Sequence, residues 1–475
     1  MPLAFQSAFQ SNMLDKRFFD QIDAKCRLRK IVSKIPIPLR VGEQMIYTRA
    51  GELVPVISTD NPTNNTLSYD LGLNAPGVGS GNNSYPIEQW SLFIGERSQS
   101  LDINVLQDEE TLASFYRKNW ERLAAQAALS LDLIGMQQLS VAYESGQTWI
   151  TSTYTGTTVT CKVDNVLGLS TAFATTTFNG TAFPYGSPAA VSGSNTLSVT
   201  IYPASNAASF TGTVSGFTTD GTNVSTMTTP AGMINGQSGT LTITFAASQT
   251  VSPGDVIVAS DSPVIIRPNN KRSRYALGNA DTLSMQMFIN AKAQLEANGV
   301  EPFDDNTYVC LLDPQQHAQI FTDPQFQIMT MGMAASPIFK NAVVSQEFGL
   351  TFIQTTNTPI YTYTNSAGSA VVSRRAFIIG QGALQEGTFE GMATGYSQMA
   401  DMQLGYVHLL GDAKSETPWA LITRPALDRK AQIWSQTWLW IGGVAAGTDA
   451  TITPAVVPTA SASRYKRCVV VETIG

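Results

Sequence analysis

Residues 108–143, DEETLASFYRKNWERLAAQAALSLDLIGMQQLSVAY, form the longest stretch of this chain that reads as one uninterrupted helix. Leu112, Phe115, Tyr116, Leu123, Ala127, Leu131 and Ile134 recur at spacings of three and four, with Arg117, Lys118, Glu121 and Arg122 between them. Asp108, Glu109 and Glu110 crowd the first turn, where carboxylates complement the free amides and the positive end of the helix dipole. Gly135 is the one breaker, near the far end. At the usual rise such a helix is on the order of 50 Å long, well beyond the common three to four turns. It is a strut, and the Thr-, Asn-, Gly- and Pro-rich segments on either side read as the sheets and loops it carries.

Ahead of the strut, residues 1–40 concentrate basic side chains, among them Lys16, Arg17, Lys25, Arg27, Arg29, Lys30, Lys34 and Arg40. They read either as a solvated helix followed by an extended arm, or as an arm reaching a neighbouring subunit or an acidic interior partner. Ile35-Pro36-Ile37-Pro38 must be extended, because each proline biases its predecessor away from helix. Residues 41–97 read as a long hairpin excursion, with strands at 45–49, 53–58 and 90–96. Between the last two, residues 60–86 carry Asn, Gly, Pro and Ser and little that could form a core. A loop this long is uncommon unless it is functional, and a second subunit would order it.

Behind the strut the character changes. Residues 150–262 hold five charged side chains, Lys162, Asp164, Asp220, Asp255 and Asp261, in a background of Thr, Ser, Gly and Ala. Alternation at 196–202 and 240–245, and a Pro253-Gly254-Asp255 turn before Val256, define an all-β insert, a sandwich or small barrel. Helical spacing resumes at 281–298 and stops at Gly299. Then come a buried strand at 308–312, a helix at 315–321 after Asp313-Pro314, and strands at 349–355, 376–380 and 468–472. Helices and strands in this close succession make the class α+β.

Composition bounds the function. The length of 475 suggests roughly two to four domains, and 43% hydrophobic residues supply real cores. Charged residues are only 14%, against about a quarter in ordinary globular chains. Such a surface suits contacts with further copies or a secreted β protein. A net charge of −7 does not describe a molecule built to grip nucleic acid. Cys26, Cys161, Cys310 and Cys468 lack metal-ligand spacing and read as buried thiols in a reducing compartment rather than zinc ligands or disulfides. Residues 1–12 have neither the basic start nor the apolar run of a secretory leader. No apolar run reaches the length of a membrane span, so no membrane partner is expected.

Catalytic readings find little material. His317 and His408 are the only histidines, and His317, just after Asp313-Pro314, reads as a surface or capping residue. Asp304 and Asp305 could hold a cation or serve a carboxylate-based hydrolase, but their context reads as a turn after a helix. Gly380-Gln381-Gly382 lacks phosphate-loop spacing and reads as a turn. Trp438 and Trp440 alternate as in a strand, more in keeping with core or interface than with a base-stacking platform. The Met-rich run 328–333 reads as adaptable packing. No catalytic residue, metal ligand or cofactor site is assigned.

The run NGVEPFDDNTYVCLLDP at 298–314 with TDPQF at 322–326, then FGLTFIQTTNTP at 348–359 and AFIIGQGAL at 376–384, resembles the major capsid proteins of tailed bacteriophages, nearest the N4-like coat proteins. The resemblance implies the HK97-like capsid fold with an all-β insertion domain. It divides the chain into an N-terminal arm at 1–40, an E-loop with flanking strands at 41–100 and a spine helix region at 101–149. The insertion domain follows at 150–272, and 273–475 make up the remaining peripheral and axial domains. It implies a structural subunit that assembles as hexamers and pentamers into an icosahedral head around double-stranded DNA, made in the host cytoplasm and located in the virion. A separate scaffolding protein and a portal protein are implied partners, a decoration protein is a further one, and packaged DNA is touched weakly. Lys16, Arg17, Arg27, Arg29 and Lys30 of the arm, and Asp60, Asn61, Tyr69, Asp70 and Tyr85 of the E-loop, are the expected intersubunit residues. Residues 52–97 contain no lysine, so a cross-link launched from that loop is not expected. The rival readings are a β-rich adhesin or tail-fibre type binding protein, suggested by the insert, and the hydrolase.

Overall fold

The computed structural model describes residues 27–28, 31–38, 44–50, 87–104, 115–144, 146–166, 169, 171–172, 189–190, 196–205, 207–223, 227–228, 237–259, 262–303, 305–330, 346–365, 367–389, 406–410, 419–424, 432–447 and 466–475. Helix α1, Phe115–Glu144, is 30 residues long, about 45 Å. The start expected at 108–114 lies outside the described residues. Gly135 does not break the helix. A Cβ there would stand 2.3 Å from Leu28 Cδ2, so the glycine is the notch that seats Leu28.

α1 rests on two sheets in turn. Its first half packs Leu123, Ala124, Ala127, Ala128 and Leu131 against Trp438 and Trp440. Its second half packs Met136, Leu139, Ala142 and Tyr143 against Val309, Leu311, Phe377, Ile379 and Val470. One amphipathic stripe thus binds two layers together, which is what a strut requires.

The second of these layers is an eight-stranded mixed sheet. Tyr308–Leu312 pairs parallel with Leu350–Gln354 and antiparallel with Ala370–Ile379, which also pairs with Ile360–Thr364 and Cys468–Ile474. Its strands are buried on both faces, and alternation divides them cleanly. Val309, Leu311, Phe377, Ile379 and Val470 face α1. Cys310, Leu312, Ala376, Ile378, Val469 and Val471 face the core built with Phe288 and Leu295 of α2, Met285–Ala297. The helix expected from 281 begins at Met285. Asp281 instead accepts from Lys271 Nζ at 2.5 Å and from the Gly278 amide at 2.7 Å. Left-handed Gly299 follows its C-terminus.

α3, Pro314–Thr322, starts on a capping box in which the Asp313 carboxylate accepts from Gln315 N at 3.0 Å. α4, Pro324–Thr330, follows it, and both helices lie in the connection between the parallel strands. His317 is not at the surface. It is 5% exposed, its ring 5.4 Å from Phe321 edge-to-face, because its position on α3 faces the sheet.

The first layer is a six-stranded sheet around the long strand Ile433–Ala446. Gly95–Asn104 pairs with it through ten residues, from Gly95↔Gly442 to Asn104↔Ile433. Leu384–Phe389 pairs antiparallel with its C-terminal end and Trp419–Arg424 with its earlier part, and Tyr406–Leu410 pairs in turn with Trp419–Arg424. Ser33–Ile37 is extended as expected and joins the edge parallel to Leu384–Phe389, where Pro36 costs no ladder bond. Gln44–Ala50 and Ile87–Phe93 form a hairpin in unbroken register. The return strand expected at 90–96 is in fact two strands that change partner at Ile94. The strand expected at 53–58 lies outside the described residues.

Residues 147–259 build the third sheet. Gln147–Trp149, Val256–Ala259, Leu197–Tyr202, Phe210–Asn223, Gln237–Val251 and Tyr154–Val163 follow one another in space, every neighbour antiparallel. A bridge between Ile150 and Val163, with Thr151 N donating to Lys162 O at 3.0 Å, closes the ring into a barrel. Val159, Cys161, Ile201, Val214, Leu241 and Ile243 fill it. The opposite face pairs threonines across strands: Thr218 with Thr240 at 2.7 Å and Thr160 with Thr242 at 3.2 Å. Alternation of this kind explains how so uncharged a segment folds. Among the described residues no helix is long and apolar enough to cross a membrane.

Candidate functional site

Where α1 ends, the barrel begins and the C-terminal strand passes, the chain buries an ionic cluster. Glu472 is wholly buried, and its Oε2 accepts from Arg267 Nε at 2.7 Å. Its Oε1 accepts from Arg274 Nε at 2.5 Å, Ser373 Oγ at 3.1 Å and Arg375 Nη2 at 3.3 Å. Glu144, the last residue of α1, contacts Arg375 Nη1 and accepts from Tyr361 OH at 2.6 Å and Ser140 Oγ at 3.0 Å. The Tyr361 ring carries Arg274 Cζ at 3.6 Å and Arg375 Cζ at 4.0 Å from its centre.

Burial is the largest influence on Glu144 and raises its carboxyl to about 8, against the Tyr361 hydroxyl and Arg274. Burial also pushes Glu472 upward, but facing Arg274 and Arg267 outweigh it and its pKa is lowered. Tyr361 is raised by burial and by Glu144. The guanidiniums of Arg267, Arg274 and Arg375 hold the Glu472 carboxylate in place. The arrangement joins segments. Arg267 Nη2 reaches Gln147 Oε1 at 3.4 Å, Trp149 stands 5.8 Å from Tyr363, and Tyr363 OH donates to Arg274 O at 2.6 Å.

The expected intersubunit residues are placed unequally. Lys16, Arg17, Arg29, Lys30, Asp60, Asn61, Tyr69, Asp70 and Tyr85 lie outside the described residues. Arg27 is exposed and turned onto its own chain, its backbone amide donating to Asp132 Oδ2 at 3.1 Å and its Nη1 to Gln354 O. It stands at a cleft of about 440 Å³ lined also by Ala125, Leu129 and Asp132 of α1, Pro314 of α3, and Gln354, Thr355, Thr356 and Asn357. Burial raises the Asp132 carboxyl, against the amides of Arg27 and Leu28.

Asp305 accepts from Thr307 Oγ1 at 2.8 Å within the expected turn, where Asn306 is left-handed, and Asp304 lies outside the described residues. Among the described residues no three His, Cys, Asp or Glu side chains converge on a metal position. Cys161, Cys310 and Cys468 are buried, as expected, Cys26 lies outside the described residues, and burial pushes the Cys161 thiol up to about 11. The sequence reading missed the cluster. Its sequence signals were charges within otherwise apolar strands, Arg374-Arg375 and Glu472.

No family profile and no curated protein sequence matches the chain. Among solved structures it is similar to the capsid of Ralstonia phage GP4, at 10% identity over 94% of this chain and 87% of that one, with a TM-score of 0.44. The cyanophage Pam1 capsid asymmetric unit is similar at 10% identity over 92% and 86%, with a TM-score of 0.45. The capsid of cyanophage P-SCSP1u is similar at 7% identity over 94% and 87%, with a TM-score of 0.43.

Proposed function

We propose that this chain is the major capsid protein of a tailed phage, a structural subunit of HK97-like fold that encloses double-stranded DNA in an icosahedral head. The observation that carries the reading is α1, seated by one half on each of two sheets, with the hairpin Gln44–Ala50/Ile87–Phe93 ahead of it and the barrel behind. That order follows the one implied by the coat-protein motifs at 298–314, 348–359 and 376–384. A rigid strut across two layers suits a shell tile, and residues 51–86, carried between paired strand ends, suit a neighbour-spanning contact. The role is structural, and the subunit is located in the virion.

The finer assignments belong to the same proposal. The subunit forms hexamers and pentamers by closed, repeated contacts. Residues 1–40 and 41–100 act as arm and E-loop, with Lys16, Arg17, Arg27, Arg29, Lys30, Asp60, Asn61, Tyr69, Asp70 and Tyr85 at subunit contacts. Residues 101–149 are the spine region, 150–272 an insertion domain, and 273–475 the remaining peripheral and axial domains. A separate scaffolding protein, a portal protein and a decoration protein are the partners, and an acidic coat of low charge touches packaged DNA weakly. Electron microscopy of the purified chain, with and without a co-expressed scaffold, tests the reading. Closed shells, tubes, or rings of five and six are expected. A stable monomer or trimer under both conditions would overturn it and favour the β-rich binding protein.

A further inference from the structure

Glu347 pairs with Leu350 and Gln346 with Thr351, so Phe348 and Gly349 are the two central residues of a tight hairpin turn. Both are left-handed, with φ of 53° and 75°. Such turns favour Asn-Gly, because a left-handed conformation strains a bulky side chain. The turn is fixed by its surroundings: Lys292 Nζ donates to Phe348 O at 3.1 Å, and Tyr308 N donates to Gly349 O at 3.0 Å. Yet Phe348 remains 41% exposed, so the strain is not repaid by full burial within the subunit. An aromatic side chain is held out from the surface on a rigid, unfavourable turn.

The other end of the same strand, Leu350–Gln354, opens into the cleft formed with Ala125, Leu129, Pro314 and Arg27. Leu129 is left 49% exposed. The cleft has room for a phenyl ring, with Ala125, Leu129 and Pro314 as apolar walls and the Arg27 guanidinium at the side, where it can lie over an aromatic face. Asp132 would not oppose an apolar guest, since it already accepts from the Arg27 and Leu28 amides at 3.1 and 3.3 Å. At about 3.3 Å per residue, turn and cleft lie about 20 Å apart along one strand, so no subunit can fill its own cleft with its own Phe348.

We propose that Phe348 is the knob and this cleft the socket of a head-to-tail contact between copies of this chain. The contact is heterologous: every copy offers one knob and one socket from different surfaces, which closes into a ring if the rotation between copies closes. The inference rests on the shell reading and assigns it one of its ring-forming contacts.

The test uses the full-length chain and two variants. Phe348→Asn removes the ring and keeps a residue that tolerates the left-handed turn. Ala125→Trp fills the socket, and Leu129→Arg replaces it should Ala125→Trp fail to reproduce the wild-type melting curve. Each variant alone is expected to stay folded, with Phe348→Asn melting no lower than wild type, and to lose rings and shells. Truncating a buried aromatic anchor should weaken the contact by roughly thirtyfold or more. An equimolar mixture should sediment as a heterodimer, because one partner supplies only sockets and the other only knobs. Wild-type assembly by either variant alone, or a mixture without heterodimer, overturns the contact. A wild-type chain that assembles under no condition overturns the shell reading itself, a result distinct from assembly of all three proteins.

Discussion

Glu144 and Glu472 meet the same guanidinium, that of Arg375, from opposite ends of the chain. Glu472 also holds Arg267 and Arg274, so Glu472→Gln leaves buried cations facing a neutral amide. Breaking a buried pair from one side costs about 3–5 kcal/mol. Chemical denaturation of unassembled subunits should show a loss of that order. The matching control is Glu296→Gln, which removes an exposed pair with Lys292 on α2 and should change stability by less than about 0.5 kcal/mol.

The two carboxylates respond to pH in opposite senses. Glu144 has its folded pKa raised to about 8 from an ordinary 4.5, so its contribution is complete below the ordinary value and is lost as pH rises through 8. Glu472 has its pKa lowered, so its contribution is complete above the ordinary value and is lost as pH falls through the folded one. Unfolding free energy should therefore peak in mild acid. Titration of wild type against Glu144→Gln should flatten the alkaline limb only, and an unchanged alkaline limb would refute the assignment.

Gly443 lies where the hairpin meets the long strand. A Cβ there would stand 1.9 Å from the Phe93 carbonyl oxygen, a backbone atom that cannot move alone. Gly443→Ala should therefore cost about 1–3 kcal/mol or more through overpacking. Gly95→Ala, whose Cβ meets only Arg97 Nη1 at 3.7 Å, should be far milder in the same thermal melt.

The hairpin closes on the pair Ala50↔Ile87, so the strand ends next to residues 51–86 are within reach of a short turn. Replacing 51–86 by Asn-Gly should leave the subunit melting near wild type while its shells fail. Unimpaired shells in the electron microscope would count against the assembly role proposed for residues 51–86.

Long periodic elements were legible in the sequence. The stripe from Leu123 to Ile134 announced α1, the short apolar run at 308–312 announced Tyr308–Leu312, and alternation at 196–202 and 240–245 announced two of the six barrel strands, Leu197–Tyr202 and part of Gln237–Val251. What escaped was set by partners distant in the chain. Gly135 read as a breaker because its reason is Leu28, and His317 read as a surface residue because the sheet beneath α3 is assembled from remote segments. The return strand was placed across Ile94 because the change of partner there depends on Ile433–Ala446. The ionic cluster escaped for the same reason: charges within apolar strands hinted at it, but its members run from Glu144 to Glu472. Arg27 was singled out for a contact between subunits, and the structure shows it engaged with Asp132 and Gln354 of its own chain, beside a cleft that no spacing could reveal.

The barrel leaves and rejoins the core through adjacent strands, with Gln147 opposite Val258 and the Ala259 amide 2.8 Å from Gly146 O. Its base is also clamped: Tyr275 fills the space where Gly254 has no side chain, and Ser273 Oγ donates to Gly254 O at 3.4 Å. A module joined by two neighbouring strands alone would swing as on a hinge. With the clamp it behaves as a bracket, and a load on its far end arrives as torque at Glu144, where α1 ends its run beneath both sheets.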